Sequence, residues 1–462
     1  MPATSLNLKD DSQPVMPPRT RTTRVLVVSD HPIESLEVSK NLRALHLDIQ
    51  LSLFDGNTLT SIPTQTPDAV LCHLTDYAEQ GPKLAKVIRS HYKASPIPII
   101  GAMSRPSQQA SEGFDSTLFA PMHASQIANR VHAMIRLGVM EGEIGRRLET
   151  LREDFSETPQ IGDFSPDRKF RVLFIGKASP SFMIIINALQ DKGVDVVAAF
   201  TSFSAFDYLH GDPFDAVVMN ALEQSEPAFS ISEAMRRNSK LYHTPTLFLV
   251  DSEKFSDHAG AYDRGARDII DTHADPEEIS GRILELANYH RVHEQMKSDF
   301  QTLSMDVAGD ETQSAYSEKF IRAHLPRMLR DAEAAGHPVT LMGLKLRISS
   351  VDDVTPSAVE AAYVQTIEVL SNLIRMQDIL CRWEKDVLVL GFYNTNVAEA
   401  ETVLARVKGL LECNIYESGT PSGNGIGVSA QSTILELGSI EDVKRNALDK
   451  LIANLYHDPD SL

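Results

Sequence analysis

The sequence predicts an α/β protein of successive domains, and three observations carry that expectation. The first is length: 462 residues make about three domains at roughly 150 residues each. The second is an internal repeat. Val25-Leu26-Val27-Val28 is matched by Val172-Leu173-Phe174-Ile175, and Asp68-Ala69-Val70-Leu71-Cys72-His73 by Asp215-Ala216-Val217-Val218-Met219-Asn220. Pro98-Ile99-Ile100 is matched by Pro245-Thr246-Leu247, and all three landmarks keep one offset of 147 residues. Gly113 answers Gly265 after a few inserted residues. The third is alternation. Short apolar runs, as strands buried on both faces require, alternate with amphipathic stretches such as SQIANRVHAMIRL. That is the βα pattern of a doubly wound parallel sheet, once in each copy.

Composition narrows the function classes. Apolar residues make up 42% and charged residues 23% of the chain, which is ordinary globular material rather than a disordered or fibrous protein. No apolar run approaches the ~20 residues that span a bilayer, so no membrane insertion is expected. The opening MPATSLNLKDDSQPVMPPRT lacks the apolar core of a secretory signal. Cys72, Cys381 and Cys413 are odd in number and have no CxxC spacing, which fits a reducing cytoplasm and no structural zinc. A net charge of −19 disfavours nucleic-acid partners, so an anionic ligand needs a local arginine site.

Taken in order, residues 1–22 are polar and Pro-rich and read as a disordered tail. The first copy occupies 23–140. A linker over 141–168 begins with the charged helical stretch EGEIGRRLETLREDF and ends with the loose SETPQIGDFSPDRK. The second copy occupies 169–288. From about 279 to 305 the chain reads as continuous helix, with Tyr289, Val292, Met296, Phe300 and Leu303 in a heptad-like stripe. That stripe either packs on its own domain or forms a dimer stalk over 289–305. Residues 306–462 give a third α/β pattern. The strands LMGLKLRI, DVLVLGFY and GIGVSA enclose the helices SAVEAAYVQTIEVLSNLIR and EAETVLARVKGLLE, and IEDVKRNALDKLIANLY closes the chain as a helix.

The runs VLVVSDHP, PDAVLCHL, PIIGAMS and GFDSTLFAPM together resemble the receiver family, with its flavodoxin-like strand order. The resemblance implies phosphorylation of an aspartate at the end of strand three. Two acidic residues after strand one would hold Mg²⁺, with a hydroxyl after strand four and a lysine after strand five on the phosphoryl group. The first copy has His73 for the aspartate, Ser29 and Asp30 for the acidic pair, Met103 for the hydroxyl, and Ala120 before Pro121 for the lysine. The second has Asn220, Gly176 and Lys177, Val250 and His273. Both copies are therefore expected to keep the fold and its docking faces without the phosphate switch. His73 reads as a packed residue rather than an acceptor.

The last third resembles the GGDEF family, the palm-like fold of diguanylate cyclases. One local motif is specific. Arg375-Met376-Gln377-Asp378 ends the long helix, and after five intervening residues comes Glu384-Lys385-Asp386-Val387-Leu388. In the family an RxxD motif at this spacing before the GGDEF hairpin is the inhibitory site for cyclic di-GMP. An arginine fork suits guanine O6 and N7 or a phosphodiester, and a carboxylate three residues on can accept from guanine N–H groups. The resemblance places a second arginine, Arg406, on the next helix. The competing reading makes Arg375 and Asp378 a solvated ion pair of little worth.

The catalytic set is missing. Cyclisation of GTP needs carboxylates for two metal ions. Here Lys345 and Arg347 stand at the first-strand carboxylate positions, Glu384 and Lys385 replace the hairpin glycines, and Asp386 survives alone. Residues 349–360 lack the family's GHxxGD pattern, and Glu360 is the acidic residue at their end. The resemblance therefore implies no catalytic residues, no resident cofactor and no metal. It implies a cytoplasmic cyclic di-GMP effector, a homodimer, that couples ligand to protein recruitment in cell-cycle control. Its partners would include a proteolysis adaptor, and its place of action the cell pole. The rival readings are a ligand-independent scaffold and, further off, an active cyclase.

Overall fold

The computed structural model describes residues 22–456 apart from 94–96, 105–110, 121, 163–167, 178, 223–224, 304–307, 311–314, 350–353, 418–424 and 445. Pro121 and most of the expected N-terminal tail lie outside the described residues. The chain forms two compact units, one holding both repeat copies and the other holding the last third.

In the first copy the elements run β1 (Thr23–Ser29), α1 (Pro32–Ala44), β2 (Leu47–Leu53), β3 (Ala69–Leu74), α2 (Gly81–His91), β4 (Ile99–Met103), β5 (Ser116–Phe119) and α3 (Ala124–Asp154). The sheet is parallel, with order β2-β1-β3-β4-β5. Every residue of β3 and β4 is buried, as a sheet covered on both faces requires. The second copy repeats this with β6 (Arg171–Ile175), α4 (Pro180–Asp191), β7 (Asp195–Ala199), α5 (Ser202–Gly211), β8 (Ala216–Asn220), α6 (Glu226–Arg237), β9 (Thr246–Val250), α7 (His258–Asp263), β10 (Asp268–Asp271) and α8 (Pro276–Thr302). Its order, β7-β6-β8-β9-β10, is the same flavodoxin-like winding.

One repeated landmark has a structural cause. Asp68 and Asp215 each accept the backbone N–H of the residue opposite, Arg24 and Arg171, at 2.8 Å. The carboxylate thus ties the approach to the third strand to the first strand in both copies. Asp215 also holds Arg168 at 2.6 Å and Arg291 of α8 at 3.0 Å.

Two boundaries read from the sequence fall inside helices. The boundary at 140 lies within α3, which continues without a break to Asp154. The boundary at 288 lies within α8. The first half of helix α8 packs on its own domain, whereas Phe300 farther along lies under the Arg147 guanidinium of α3 at 4.7 Å. Ile279, Ile283, Leu286 and Ala287 join the core of the second copy, and the Arg291 guanidinium stacks on Phe170 at 3.8 Å. Of the apolar stripe, Phe300 and Leu303 are buried.

A group of histidines lies where α8 meets the loop before β9. The His243 and His293 rings are 4.3 Å apart. Desolvation first, then the neighbouring His293, Arg136 and Arg267, push His243 down to about 3. Burial pushes His290 down to about 4. A histidine held neutral in the fold contributes stability that is complete above the unfolded value near 6.5 and is lost as pH falls through the window toward the folded value. The unfolding free energy read from denaturant titrations is therefore expected to fall between pH 6.5 and 4, by roughly 1.4 kcal/mol per pH unit from His290 alone. Replacing His290 with Asn should flatten that slope; a slope unchanged in the variant would contradict the assignment.

The last third contains β11 (Tyr316–Ser317), α9 (Glu318–Ala335), β12 (Val339–Ser349), α10 (Pro356–Leu373), β13 (Ile379–Glu384), β14 (Val387–Tyr393), α11 (Val397–Cys413), β15 (Ile415–Glu417), β16 (Gly425–Leu437) and, after a helical turn at Glu441–Lys444, α12 (Ala447–Tyr456). The sheet order is β11-β13-β14-β12-β16-β15. The central β12 pairs antiparallel with β14 and β16. Helices α10 and α11 share one core, with Ile367 and Leu370 of the first and Val407 and Leu411 of the second buried against Leu344, Leu346 and Leu388. Among the described residues no helix is long and apolar enough to cross a membrane.

Candidate functional site

In the first copy the acceptor position is closed. His73 is next to last in β3, is 8% exposed, and its buried Nδ1 has no hydrogen-bond partner in the structure. Desolvation lowers its pKa, which favours the neutral ring. Asp30 is the surviving acid of the pair expected to hold Mg²⁺. Its carboxylate accepts the backbone N–H groups of Thr75 at 2.9 Å and of Asp76 and Tyr77 at 2.8 Å. It serves as a clasp on the loop after β3, with its oxygens committed to that loop. Ser29 is buried and bonds to the His31 backbone, and Met103 is fully buried at the end of β4. Exposure to acetyl phosphate and Mg²⁺ is expected to leave the intact mass unchanged. A phosphoryl adduct on His73 would show that the pocket opens.

The second copy closes its position differently. Asn220 donates from Nδ2 to the Lys177 carbonyl at 2.9 Å and accepts the Leu222 N–H at 3.1 Å. Gly176 has φ +127, and a Cβ there would stand 2.7 Å from the Asn220 Cβ, so only glycine fits beside this amide. Val250 is buried, and His273 is exposed and bonded to Asp271 at 2.9 Å.

The RxxD segment lies just past the long helix rather than on it. Helix α10 stops at Leu373, and Ile374 turns to extended backbone. The Arg375 N–H donates to Asp378 Oδ2 at 3.0 Å, and the Asp378 N–H donates back to the Arg375 carbonyl at 2.9 Å. Asp378 is 7% exposed. This closed turn sets the exit into β13 and leaves the Arg375 side chain exposed. Asp378 thus meets the backbone of Arg375, a contact that an exposed ion pair between the two side chains does not describe. Arg406 is exposed on α11 next to the buried Val407. The fold therefore puts Arg375 and Asp378 in one turn and Arg406 on the adjoining helix of the same sheet face.

The hairpin follows immediately. Strands β13 and β14 are joined through Lys385 and Asp386, with a bulge between Arg382 and Glu384. Lys345 of β12 sits opposite Val387, and the Leu346 N–H donates to the Asp386 carbonyl at 2.7 Å. The Lys345 ammonium lies 3.8 Å from the centre of the Tyr456 ring, and the Arg347 guanidinium donates to Gln431 at 2.6 Å. The Tyr456 hydroxyl donates to Glu384 at 2.7 Å. That bond is the main reason its pKa is pushed up to about 12.

Arg382 carries more of this site than its place in the sequence suggests. Its side chain is 8% exposed and donates to Glu360 at 2.6 Å, to the Lys385 carbonyl at 2.9 Å and to Asp310 at 3.4 Å. It braces the hairpin turn against α10 and the segment before β11. The only sequence signal is an arginine at alternating phase in an apolar strand, where a charge must find partners.

No protein-family model matches the chain. The response regulator PleD of Caulobacter vibrioides is 18% identical over 414 residues, which cover 87% of this chain and 88% of PleD. Among solved structures, a response regulator from Thermotoga maritima is similar at 19% identity. It covers 26% of this chain and 99% of its own length, with a TM-score of 0.24. The GGDEF domain of DgcB from Caulobacter crescentus, solved in complex with c-di-GMP, is similar at 14% identity, covering 33% of this chain and 87% of that one, with a TM-score of 0.27. The GGDEF domain of FimX from Pseudomonas aeruginosa gives 16% identity, 33% and 95% coverage, and a TM-score of 0.26. The fold class is the one expected: two flavodoxin-like α/β domains with parallel sheets, followed by a third α/β domain built on a mixed, mainly antiparallel sheet.

Proposed function

We propose that this protein is a cyclic di-GMP effector whose GGDEF domain binds ligand at Arg375, Asp378 and Arg406 and performs no cyclisation. The observation that carries the reading is the RxxD turn. Asp378 fixes the backbone so that the Arg375 fork stands free on the surface, a few residues before a hairpin that has lost its glycines. An exposed arginine whose backbone is fixed by a buried aspartate offers its fork to a phosphodiester or a guanine edge. The metal positions point the other way. Lys345 and Arg347 stand at the positions the resemblance gives to metal-binding carboxylates, Lys385 adds a third cation in the hairpin, and a single Asp386 cannot ligate two Mg²⁺ ions.

The rest of the reading follows the layout shared with PleD and is of a PopA-like kind. The receiver pair presents protein-docking surfaces, works as a homodimer, and recruits a partner such as a proteolysis adaptor near the cell pole. The test is calorimetric titration of cyclic di-GMP into the full chain, with GTP turnover assayed in parallel. Micromolar binding without turnover is the expected result. Absence of heat with ligand in excess would leave a scaffold, and product formation would restore an enzyme.

A further inference from the structure

The last helix lies on the strand and hairpin that the GGDEF resemblance makes the nucleotide seat. Three contacts converge there. Leu455 is 1% exposed, and a Cβ on Gly343 of β12 would stand 2.8 Å from its Cδ1. The Tyr456 ring supports the Lys345 ammonium at 3.8 Å. The Tyr456 hydroxyl bonds Glu384, at a former hairpin glycine, at 2.7 Å. We infer that α12 closes this face of the domain, with Leu455 and Tyr456 taking the room a nucleoside triphosphate would need beside Lys345 and Glu384.

The charges agree with closure. The cation at 345 is partnered by a ring face and the carboxylate at 384 by a phenol, so each charged group is held by a neutral one. A triphosphate entering here would meet Glu384 and Asp386 with too few carboxylates to bring in the metal ions that usually offset such repulsion. The face has become the seat of the chain's own helix. This inference goes beyond the effector reading and shares with it only the GGDEF resemblance that makes the hairpin a former nucleotide seat.

The test uses the full chain and two readouts. Titration of a fluorescent GTP analogue with Mg²⁺ into the wild-type protein is expected to give no saturable signal. Hydrogen exchange at the β13–β14 hairpin amides is expected to accelerate at least five-fold in Tyr456→Ala. In Tyr456→Phe, which keeps the ring and loses the donor, the acceleration should be smaller. Tyr456 is 48% exposed, so neither variant threatens the fold. Saturable GTP binding in the wild type that is lost in Lys345→Ala, or hairpin exchange unchanged in Tyr456→Ala, would overturn the closure. Cyclic di-GMP titration of the same proteins separates the two ideas. If the wild type ignores cyclic di-GMP while the hairpin responds as expected, the effector reading falls and the closure stands.

Discussion

Arg375→Ala is expected to weaken cyclic di-GMP binding by about 100-fold, read by calorimetry at fixed salt. A hydrogen bond to a charged group is worth about 1.5–3 kcal/mol, and a fork that makes two of them carries roughly 3 kcal/mol, or two decades in Kd. Arg375→Lys should recover little, because an ammonium cannot make the paired contact. Asp378 separates two roles. Its Oδ2 accepts the Arg375 N–H at 3.0 Å from a buried position, so Asp378→Ala removes both the turn clasp and any acceptor for guanine N–H. Asp378→Asn keeps an acceptor for the turn and loses the charge. If Asp378→Asn binds like wild type while Asp378→Ala does not, the residue acts by holding the turn. If both fail with melting temperature retained, it touches ligand. A wild-type affinity indifferent to Arg375→Ala would remove the site itself.

Much of the fold was legible because buried parallel strands write themselves as apolar runs. The repeated runs at Val25, Asp68 and Pro98 recur as β6, β8 and β9 with the same winding. The repeat even carries the Asp68 and Asp215 clasps, though their partners, Arg24 and Arg171, are visible only in three dimensions. Periodicity failed where polarity is inverted. In α1 the buried face holds Ser35, Ser39 and Leu42, while Ile33 and Leu36 are 74% and 62% exposed. Small residues let that helix approach the sheet, and no apolar stripe announces which side faces in. The RxxD spacing was legible as a motif, yet its position beyond the helix end was not, because the chain leaves the helix at Ile374 without a glycine or proline to mark the stop. Arg382 and Tyr456 were missed for a common reason. Their partners are far away in sequence, and pairing of that kind has no local signature.

The seam between the two repeat domains is the second place where one substitution should have a large effect. The shift that pairs Gly113 with Gly265 also pairs Ser116 with Asp268 and Arg130 with Arg282. Each domain therefore brings the same buried arginine to one interface, and the two are satisfied in different ways. Arg282, 6% exposed, is held by Asp268 of its own domain, and Gln126 of the first domain donates to that same carboxylate at 2.6 Å. Arg130, 7% exposed, reaches across to Glu285 at 2.5 Å, and Glu285 also accepts from Ser116 Oγ at 2.6 Å and from the Thr117 N–H at 2.9 Å. Alongside, the His123 ring stacks on Tyr262 at 5.4 Å.

Removing one member of a buried pair strands the other, at about 3–5 kcal/mol. Asp268→Ala is therefore expected to lower the melting temperature by roughly 10 °C, at 2–4 °C per kcal/mol for a unit of this size. The double variant Asp268→Ala with Arg282→Met should recover most of that loss, since no charge is then left buried. Glu285→Ala acts on the seam rather than on either core. It takes from Arg130 the Glu285 carboxylate it holds across the interface, and the calorimetric trace is expected to change from one transition to two as the domains melt separately. A single transition in Glu285→Ala, at the wild-type temperature, would mean that apolar contacts alone join the two repeat domains. Two transitions would mean that these charges make the pair melt as one body.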